Sequence, residues 1–137
     1  MSYSDRHHWA SAEQTLNGAT DLELPFVFLK PVVIHRIGMK VTNTAAGGAA
    51  VLFEDRTGAS TDTSIETVTI PAADSDGELF WTDLDTTTGV GYLLEAGHIL
   101  NLAVTESGTA PTAIAVVEYS VQERADAALG SALTESA

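Results

Sequence analysis

Short apolar stretches, each separated from the next by turn-forming residues, run from residue 21 to residue 121. Within most of them apolar and polar positions alternate, which is typical of β-strands with one buried face. Repeated short strands without intervening helical patterns favour an antiparallel sandwich or barrel. The pattern predicts about eight strands, at 22–28, 32–42, 49–55, 65–70, 78–84, 90–94, 98–105 and 112–122.

The alternation also predicts which side chains face the core. The strand at 112–122 has the cleanest pattern. The strand at 78–84 carries large apolar residues on both faces, which predicts that both are covered. The predicted inward positions are Val33, His35, Ile37, Met39 and Val41; Val51 and Phe53; Leu100, Leu102 and Val104; and Ala113, Ala115, Val117, Tyr119 and Val121.

Both ends of the chain lack this alternation. We therefore predict an N-terminal arm at 1–20, a single β-sandwich domain at 21–122 and a C-terminal arm at 123–137. A helical turn or two at 123–129 would be marginal without a packing partner.

Length and charge narrow the class of protein. A chain of 137 residues fits one domain. With 6 Lys+Arg against 19 Asp+Glu, its formal net charge is −13, which disfavours binding to nucleic acid or to anionic membranes. The chain has no cysteine, and neither a signal peptide nor a transmembrane stretch is evident, so we expect synthesis in a cytoplasm.

The histidines are the first candidates for a metal or catalytic site. A cupin-type metal site needs a His-x-His pair, and neither His35 nor His98 has a second histidine two residues away. We interpret His35 as a hydrogen-bonded core residue and His98 as a residue at the rim of the sandwich. The adjacent pair His7 and His8 lacks the i, i+4 spacing of a helical zinc site. No metal and no cofactor are predicted.

The segment 74–78, Asp-Ser-Asp-Gly-Glu, resembles a calcium-binding loop because it gathers carboxylates around a glycine. The bidentate glutamate expected at the twelfth position of such a loop is missing. An ordinary hairpin turn explains the segment as well, and Asp83 and Asp85 are further candidate ligands. Both interpretations stay open.

Catalytic motifs are not evident. The sequence has no Gly-x-Ser-x-Gly elbow and no glycine-rich phosphate loop with lysine. Paired carboxylates of the kind that hydrolyse glycosides are conceivable, but acidic residues concentrated in loops are explained by solubility. We predict that the chain is not an enzyme and has no catalytic residues.

Aromatic and imidazole side chains are concentrated near the N-terminus. Tyr3, His7, His8 and Trp9 lie outside the predicted sandwich, and apolar rings without a local core usually need another surface to cover them. We predict that these four residues contact a partner. The alternative, that the rings fold back on their own domain, stays open.

Three stretches resemble jelly-roll decoration or cement proteins on tailed-bacteriophage capsids. They are Pro31-Val-Val-Ile-His-Arg-Ile37, Leu94-Glu-Ala-Gly-His-Ile-Leu-Asn-Leu102 and Thr112-Ala-Ile-Ala-Val-Val-Glu-Tyr119. The resemblance implies a jelly-roll-like virion protein that stabilises or decorates the outside of the capsid. It also implies binding to the major capsid protein, a homotrimer, and synthesis in the bacterial host cytoplasm. Phage fibre modules and carbohydrate-binding β-sandwiches carry similar stretches, so a fibre or glycan-binding module is the alternative.

Overall fold

A computed structural model describes residues 6–18, 21–44, 47–58, 61–72 and 75–121. These ranges contain nine strands and one short helix. No helix within them is long and apolar enough to cross a bilayer. The elements are β1 (His7–Thr15), β2 (Leu22–Leu24), β3 (Val32–Asn43), β4 (Gly48–Arg56), β5 (Asp62–Ile70), β6 (Leu79–Asp83), α1 (Leu84–Thr88), β7 (Tyr92–Leu94), β8 (Ile99–Ser107) and β9 (Thr112–Val121).

The strands form two antiparallel sheets. Sheet A has the order β1-β9-β3-β6, with β7 also paired to β3, and sheet B has the order β2-β8-β4-β5. The pairs are nested, since β1 pairs with β9, β2 with β8, β3 with β6 and β7, and β4 with β5. This nesting is that of a jelly roll. The predicted all-β, antiparallel sandwich is confirmed.

The core lies between the two sheets and is filled by alternating side chains of both. β9 contributes Ala113, Ala115 and Val117, and β4 contributes Val51 and Phe53, as the alternation predicts. The buried apolar set is completed by Leu16, Leu24, Phe26, Val32, Ile34, Ile37, Met39, Val41, Ala49, Val68, Ile70, Leu84, Leu94, Leu100 and Leu102. The two small alanines of β9 leave room for large side chains of sheet B.

Three of the differences from the predicted elements have a local physical cause. The strand expected at 22–28 ends at Leu24, since Pro25 has no N–H to continue the ladder. β5 begins at Asp62, inside the predicted loop, because its first residues pair with the end of β4. The expected polar loop after β6 contains α1, which the Asp83 carboxylate caps by accepting from the N–H groups of Asp85 and Thr86.

The N-terminal segment differs more. Residues His7–Thr15 form β1, an edge strand of sheet A paired along its length with β9. Backbone pairing requires no apolar alternation, and β1 buries little, which is why its sequence resembles an arm. The sandwich therefore begins before residue 21. Tyr3 and the predicted arm at 123–137 lie outside the described residues.

A β-bulge in β3 reverses part of the predicted inward face. The register shifts between Ile34 and Arg36, so His35 is an extra residue with no residue of β9 directly opposite it. Val32 and Ile34 face the core before the bulge, and Ile37 faces it afterwards. The inward prediction is therefore wrong for Val33 and His35, which lie on the outer face of sheet A.

Candidate functional site on the outer face of sheet A

Strand register aligns side chains in rows across the outer face of sheet A, the face turned away from sheet B. One row, the apolar row, consists of Ala10 on β1, Val116 on β9, Gly38 on β3 and Trp81 on β6. These residues share a face because directly paired residues project to the same side of a sheet. The face is outward because Ile37 and Val117, the next residues along the strands, point into the core.

A groove of about 440 Å³ follows the apolar row. Trp81 and Leu79 line it with 49% of each residue exposed to solvent. Gly38 lets the neighbouring strands pack closely beside the groove, since a Cβ there would lie 2.9 Å from the Trp81 Cβ and 3.2 Å from Val116 Cγ2. The face thus combines a half-exposed indole with a groove that Ala10 and Val116 also line.

A second row, the charged row, borders the groove. It consists of His8, Glu118, Arg36 and Asp83 in register across the same strands. Arg36 Nε lies 2.9 Å from Glu118 Oε1, and the Arg36 guanidinium carbon lies 4.7 Å from the Trp81 ring centroid. The guanidinium is therefore held between a carboxylate and an aromatic face, and it fixes the position of the exposed indole.

The bulge residue His35 connects three elements at one end of this face. Its Nδ1 lies 2.8 Å from Asp85 Oδ1 in α1, and its Nε2 lies 2.8 Å from Ser120 Oγ in β9. Arg6 reaches the other Asp85 oxygen at 3.1 Å. Burial raises the pKa of Asp85, but the hydrogen bond and charge of His35 together with those of Arg6 outweigh it and leave that pKa below its ordinary value.

Ser120, His35 and Asp85 stand in the order of the nucleophile, base and carboxylate of serine hydrolases. Acyl transfer also requires N–H donors aimed at the developing oxyanion. Here Ser120 is paired in the sheet with Val33 of β3, so its backbone lies in the plane of the sheet while its side chain projects from the face. The geometry suits a network that fixes the bulge and α1 against β9.

The sequence-predicted contact residues divide between the two faces of β1. His8 lies in the charged row, with Nε2 3.4 Å from Glu118 Oε2. Trp9 packs edge-on against Phe26 at a centroid distance of 5.3 Å, and His7 lies 5.5 Å from the Tyr119 ring. Trp9 thus folds back on its own domain. Of His7, His8 and Trp9, it is His8 that lies on the outer face of sheet A.

The segment 74–78, for which a calcium loop and an ordinary turn were both left open, uses its central residue within the fold. Asp76 Oδ1 accepts hydrogen bonds from Thr44 N at 2.7 Å and Thr44 Oγ1 at 2.8 Å, and these bonds lower the pKa of Asp76. Asp74 lies outside the described residues. Asp83 and Asp85 are engaged at α1, and in the described ranges no group of three or more acidic or histidine side chains is arranged to hold a metal.

Two further polar clusters join strands away from this face. Asp55, which is buried, accepts from Tyr92 Oη at 2.5 Å and lies 2.9 Å from His98 Nδ1, which connects β4 to β7 and to the residue before β8. Burial and the Asp55 carboxylate raise the pKa of Tyr92. Asp55 binds two side chains of its own domain, so we assign this cluster a role in the stability of the fold.

The other cluster surrounds Arg56. Its guanidinium binds Asp62 at 2.8 and 2.9 Å, Glu23 at 2.8 Å and Asp21 at 3.1 Å. The hydrogen bond from Arg56 lowers the pKa of Asp62, and the three carboxylates together raise that of Arg56. The cluster ties β2 and β5 to β4 across sheet B.

Sequence reasoning missed the close packing around Gly38 and the hydrogen-bonded network of His35. Gly38 was a usable signal, because glycine inside a strand marks a close approach of neighbouring atoms. Ser120 had no such signal, and Asp85 was named only as a candidate calcium ligand. They lie far apart along the chain and meet only through the bulge and α1.

Comparisons with known proteins add little to this picture. No family model matches the chain, and no curated protein matches it. Among solved structures, the Eiger TNF from S. frugiperda aligns with a TM-score of 0.45 and 7% identity, over 84% of this chain and 90% of that one. Neither value supports a functional assignment.

Proposed function

We propose that this chain is a non-catalytic structural protein that works by docking through the outer face of sheet A. The observation that carries the proposal is the groove along the apolar row, which Trp81 and Leu79 line with 49% of each residue exposed. Large exposed apolar patches are uncommon on soluble monomeric proteins, and a patch with a polar rim usually marks an interaction site. An indole held in place by Arg36 loses little side-chain entropy on binding.

The proposed partner is the outer surface of a tailed-phage capsid, with the major capsid protein as the contact. The resemblance of the three stretches to decoration proteins supports this partner, and so does the charge. A protein of net charge −13 is repelled by packaged DNA, so it suits the exterior of a particle. This proposal implies that the chain is made in the bacterial cytoplasm and is then bound to the exterior of the virion.

The same face supports a second candidate, a glycan-binding module of a phage particle. A sugar ring stacks on an exposed indole, and its hydroxyl groups need charged or polar partners at the edge. Trp81 is exposed, and Arg36, Glu118 and His8 stand beside it in the charged row. Among the residues that the structure describes, this face offers one exposed aromatic ring, Trp81, rather than several. A single ring favours a protein partner over a glycan.

The test is to mix the purified chain with phage heads that lack a decoration protein and to image them by cryo-electron microscopy. Regular added density on the shell, lost with Trp81→Ser and kept with Leu29→Ser, is the expected result. Leu29 is the matched control because it is 96% exposed and lies outside sheet A. Bare shells together with binding to a glycan array would replace the first candidate by the second.

A further inference from the structure

We propose that Asn17 is a site of spontaneous covalent modification, at which its side-chain amide is converted to a carboxylate with Glu106 as the general base. The site is separate from the groove, whose lining residues do not include it. It lies where the chain crosses from β1 in sheet A to β2 in sheet B. An Asn-Gly sequence, the exposure of both its residues and a carboxylate against the glycine nitrogen are brought together there.

The fold fixes the backbone on both sides of Asn17. Leu16 is fully buried, and its N–H donates to the Pro111 carbonyl at 2.9 Å. Gly18 passes so close to β8 that a Cβ on it would lie 2.4 Å from the Val104 carbonyl oxygen. Asn17 is exposed between these two anchored residues, so solvent reaches it.

Glu106 is aimed at the nitrogen that reacts. It pairs in β8 with Ala49 of β4, a core residue, so its side chain projects to the inner side of sheet B. Its Oε1 accepts a hydrogen bond from Gly18 N at 2.7 Å. A carboxylate at this distance lies within the reach that a general base needs for the proton it removes.

The reaction closes a cyclic imide between Asn17 and Gly18. Gly18 N forms a bond to Asn17 Cγ while Glu106 takes the proton from that nitrogen. The bond from Cγ to Nδ2 breaks, and Nδ2 receives a proton and leaves as ammonia. Water, the co-reactant, then opens the imide at either carbonyl and gives aspartate or isoaspartate. Glycine favours the closure because a residue without Cβ hinders the approach of its own nitrogen least.

Both products disturb the crossing between β1 and β2. Each adds one negative charge to a chain of formal charge −13 and places it beside Glu106, so the two carboxylates repel. Isoaspartate also routes the main chain through Cγ, which lengthens it by one carbon between Leu16 and Gly18. The modified chain therefore holds this crossing less firmly.

The other two asparagines of the chain are internal controls. Asn101 is 1% exposed in β8. Asn43 precedes Thr44, whose N–H also donates to a carboxylate, Asp76 Oδ1 at 2.7 Å, but Thr44 is buried and branched at Cβ. Asn43 thus tests whether a neighbouring carboxylate suffices without glycine. Both asparagines are expected to stay intact while Asn17 is converted.

The experiment is peptide mapping by mass spectrometry after incubation of the full chain at pH 7 in water enriched in heavy oxygen. Asn17 is expected to gain one solvent oxygen, and an isoaspartyl methyltransferase measures the isoaspartate fraction. Glu106→Gln keeps a hydrogen-bond acceptor but removes the base. It should slow the conversion by about tenfold or more, since positioned bases contribute about a hundredfold or more in enzyme sites. Glu78→Gln, at an exposed carboxylate, is the control and should leave the rate unchanged.

The same incubation in urea separates the fold from the local sequence. Unfolding releases Gly18 from Glu106, so wild type and Glu106→Gln should then react at equal rates, and circular dichroism verifies that both are folded without urea. An Asn17 that stays intact in the folded chain, or that reacts no faster than Asn43 and Asn101, would overturn the site. Equal rates for wild type and Glu106→Gln when folded, or a difference that persists in urea, would overturn the role of Glu106.

Discussion

Single residues in this fold take their roles from the row in which the register places them. Gly38 allows Val116 and Trp81 to pack closely because it stands between them in the register of sheet A. His35 reaches Asp85 and Ser120 because one extra residue in β3 turns it outward. The chemistry of each side chain is therefore inseparable from its cross-strand neighbours.

The Tyr92 hydroxyl is expected to contribute to stability through Asp55. Tyr92→Phe removes the 2.5 Å hydrogen bond to a buried carboxylate, and we expect a loss of about 1–3 kcal/mol in the free energy of unfolding. Urea denaturation followed by circular dichroism measures it. Tyr119→Phe is the control, since the ring of Tyr119 packs on Phe26 and Phe28. Equal losses in both variants would contradict the role of the hydrogen bond.

The same tyrosine predicts an alkaline effect. Its pKa is raised in the folded state above the ordinary value of 10.0, so the unfolded chain releases this proton first. The stabilisation is complete below pH 10 and declines as the pH rises through the folded pKa, by at most about 1.4 kcal/mol per pH unit. Unfolding curves from pH 8 upward should therefore converge for wild type and Tyr92→Phe. Curves that stay parallel would show that this group is not linked to folding.

Asp85 predicts the opposite dependence. Its pKa is lowered in the folded state, so its contribution is complete above the ordinary value of 3.8 and is lost as the pH falls through the folded pKa. Asp85→Asn should cost about 1–2 kcal/mol at pH 7 and progressively less in acid. Chemical denaturation at pH 7 and pH 3 tests this, with exposed Glu78→Gln as the control. A cost that does not depend on pH would assign the effect to packing.

At the scale of elements, alternation was informative wherever a strand buries one face without interruption. β4, β8 and β9 were predicted closely because their inward residues repeat every second position. β1 was missed because it is an edge strand held by backbone pairing, and the inward face of β3 was partly wrong because a bulge changes the parity. The candidate site depends on that bulge and on cross-strand register, and neither follows from a single strand's sequence.

The pairing of β3 with β6 is expected to be sensitive to one methyl group. Gly38→Ala would bring its Cβ to 2.8 Å from the Phe80 carbonyl oxygen, so the strands must separate slightly or strain. We expect a cost of about 1–3 kcal/mol in the free energy of unfolding, as for other overpacked sites. Gly58→Ala is the matched control because its nearest neighbour would be 4.0 Å away. A cost below that of the control would show that β3 and its neighbouring strands accommodate a side chain at this position.

At the scale of the whole molecule, the positively charged side chains are placed differently on the two sheets. Sheet B holds one buried cation, Arg56, among Asp21, Glu23 and Asp62, whereas Arg6 and Arg36 lie on the outer face of sheet A. The nested topology brings these cations together from distant parts of the sequence.

This imbalance predicts that salt stabilises the protein. At pH 7 the charge of −13 destabilises the compact state by self-repulsion, and added salt screens repulsion between exposed groups more than it weakens the buried Arg56 cluster. The midpoint of thermal unfolding should therefore rise with sodium chloride at a fixed protein concentration, and equally with choline chloride if screening is the cause. The rise should shrink near pH 4.3, where the net charge approaches zero. A midpoint that falls with salt at pH 7 would mean that exposed ion pairs, rather than repulsion, dominate the electrostatics of this fold.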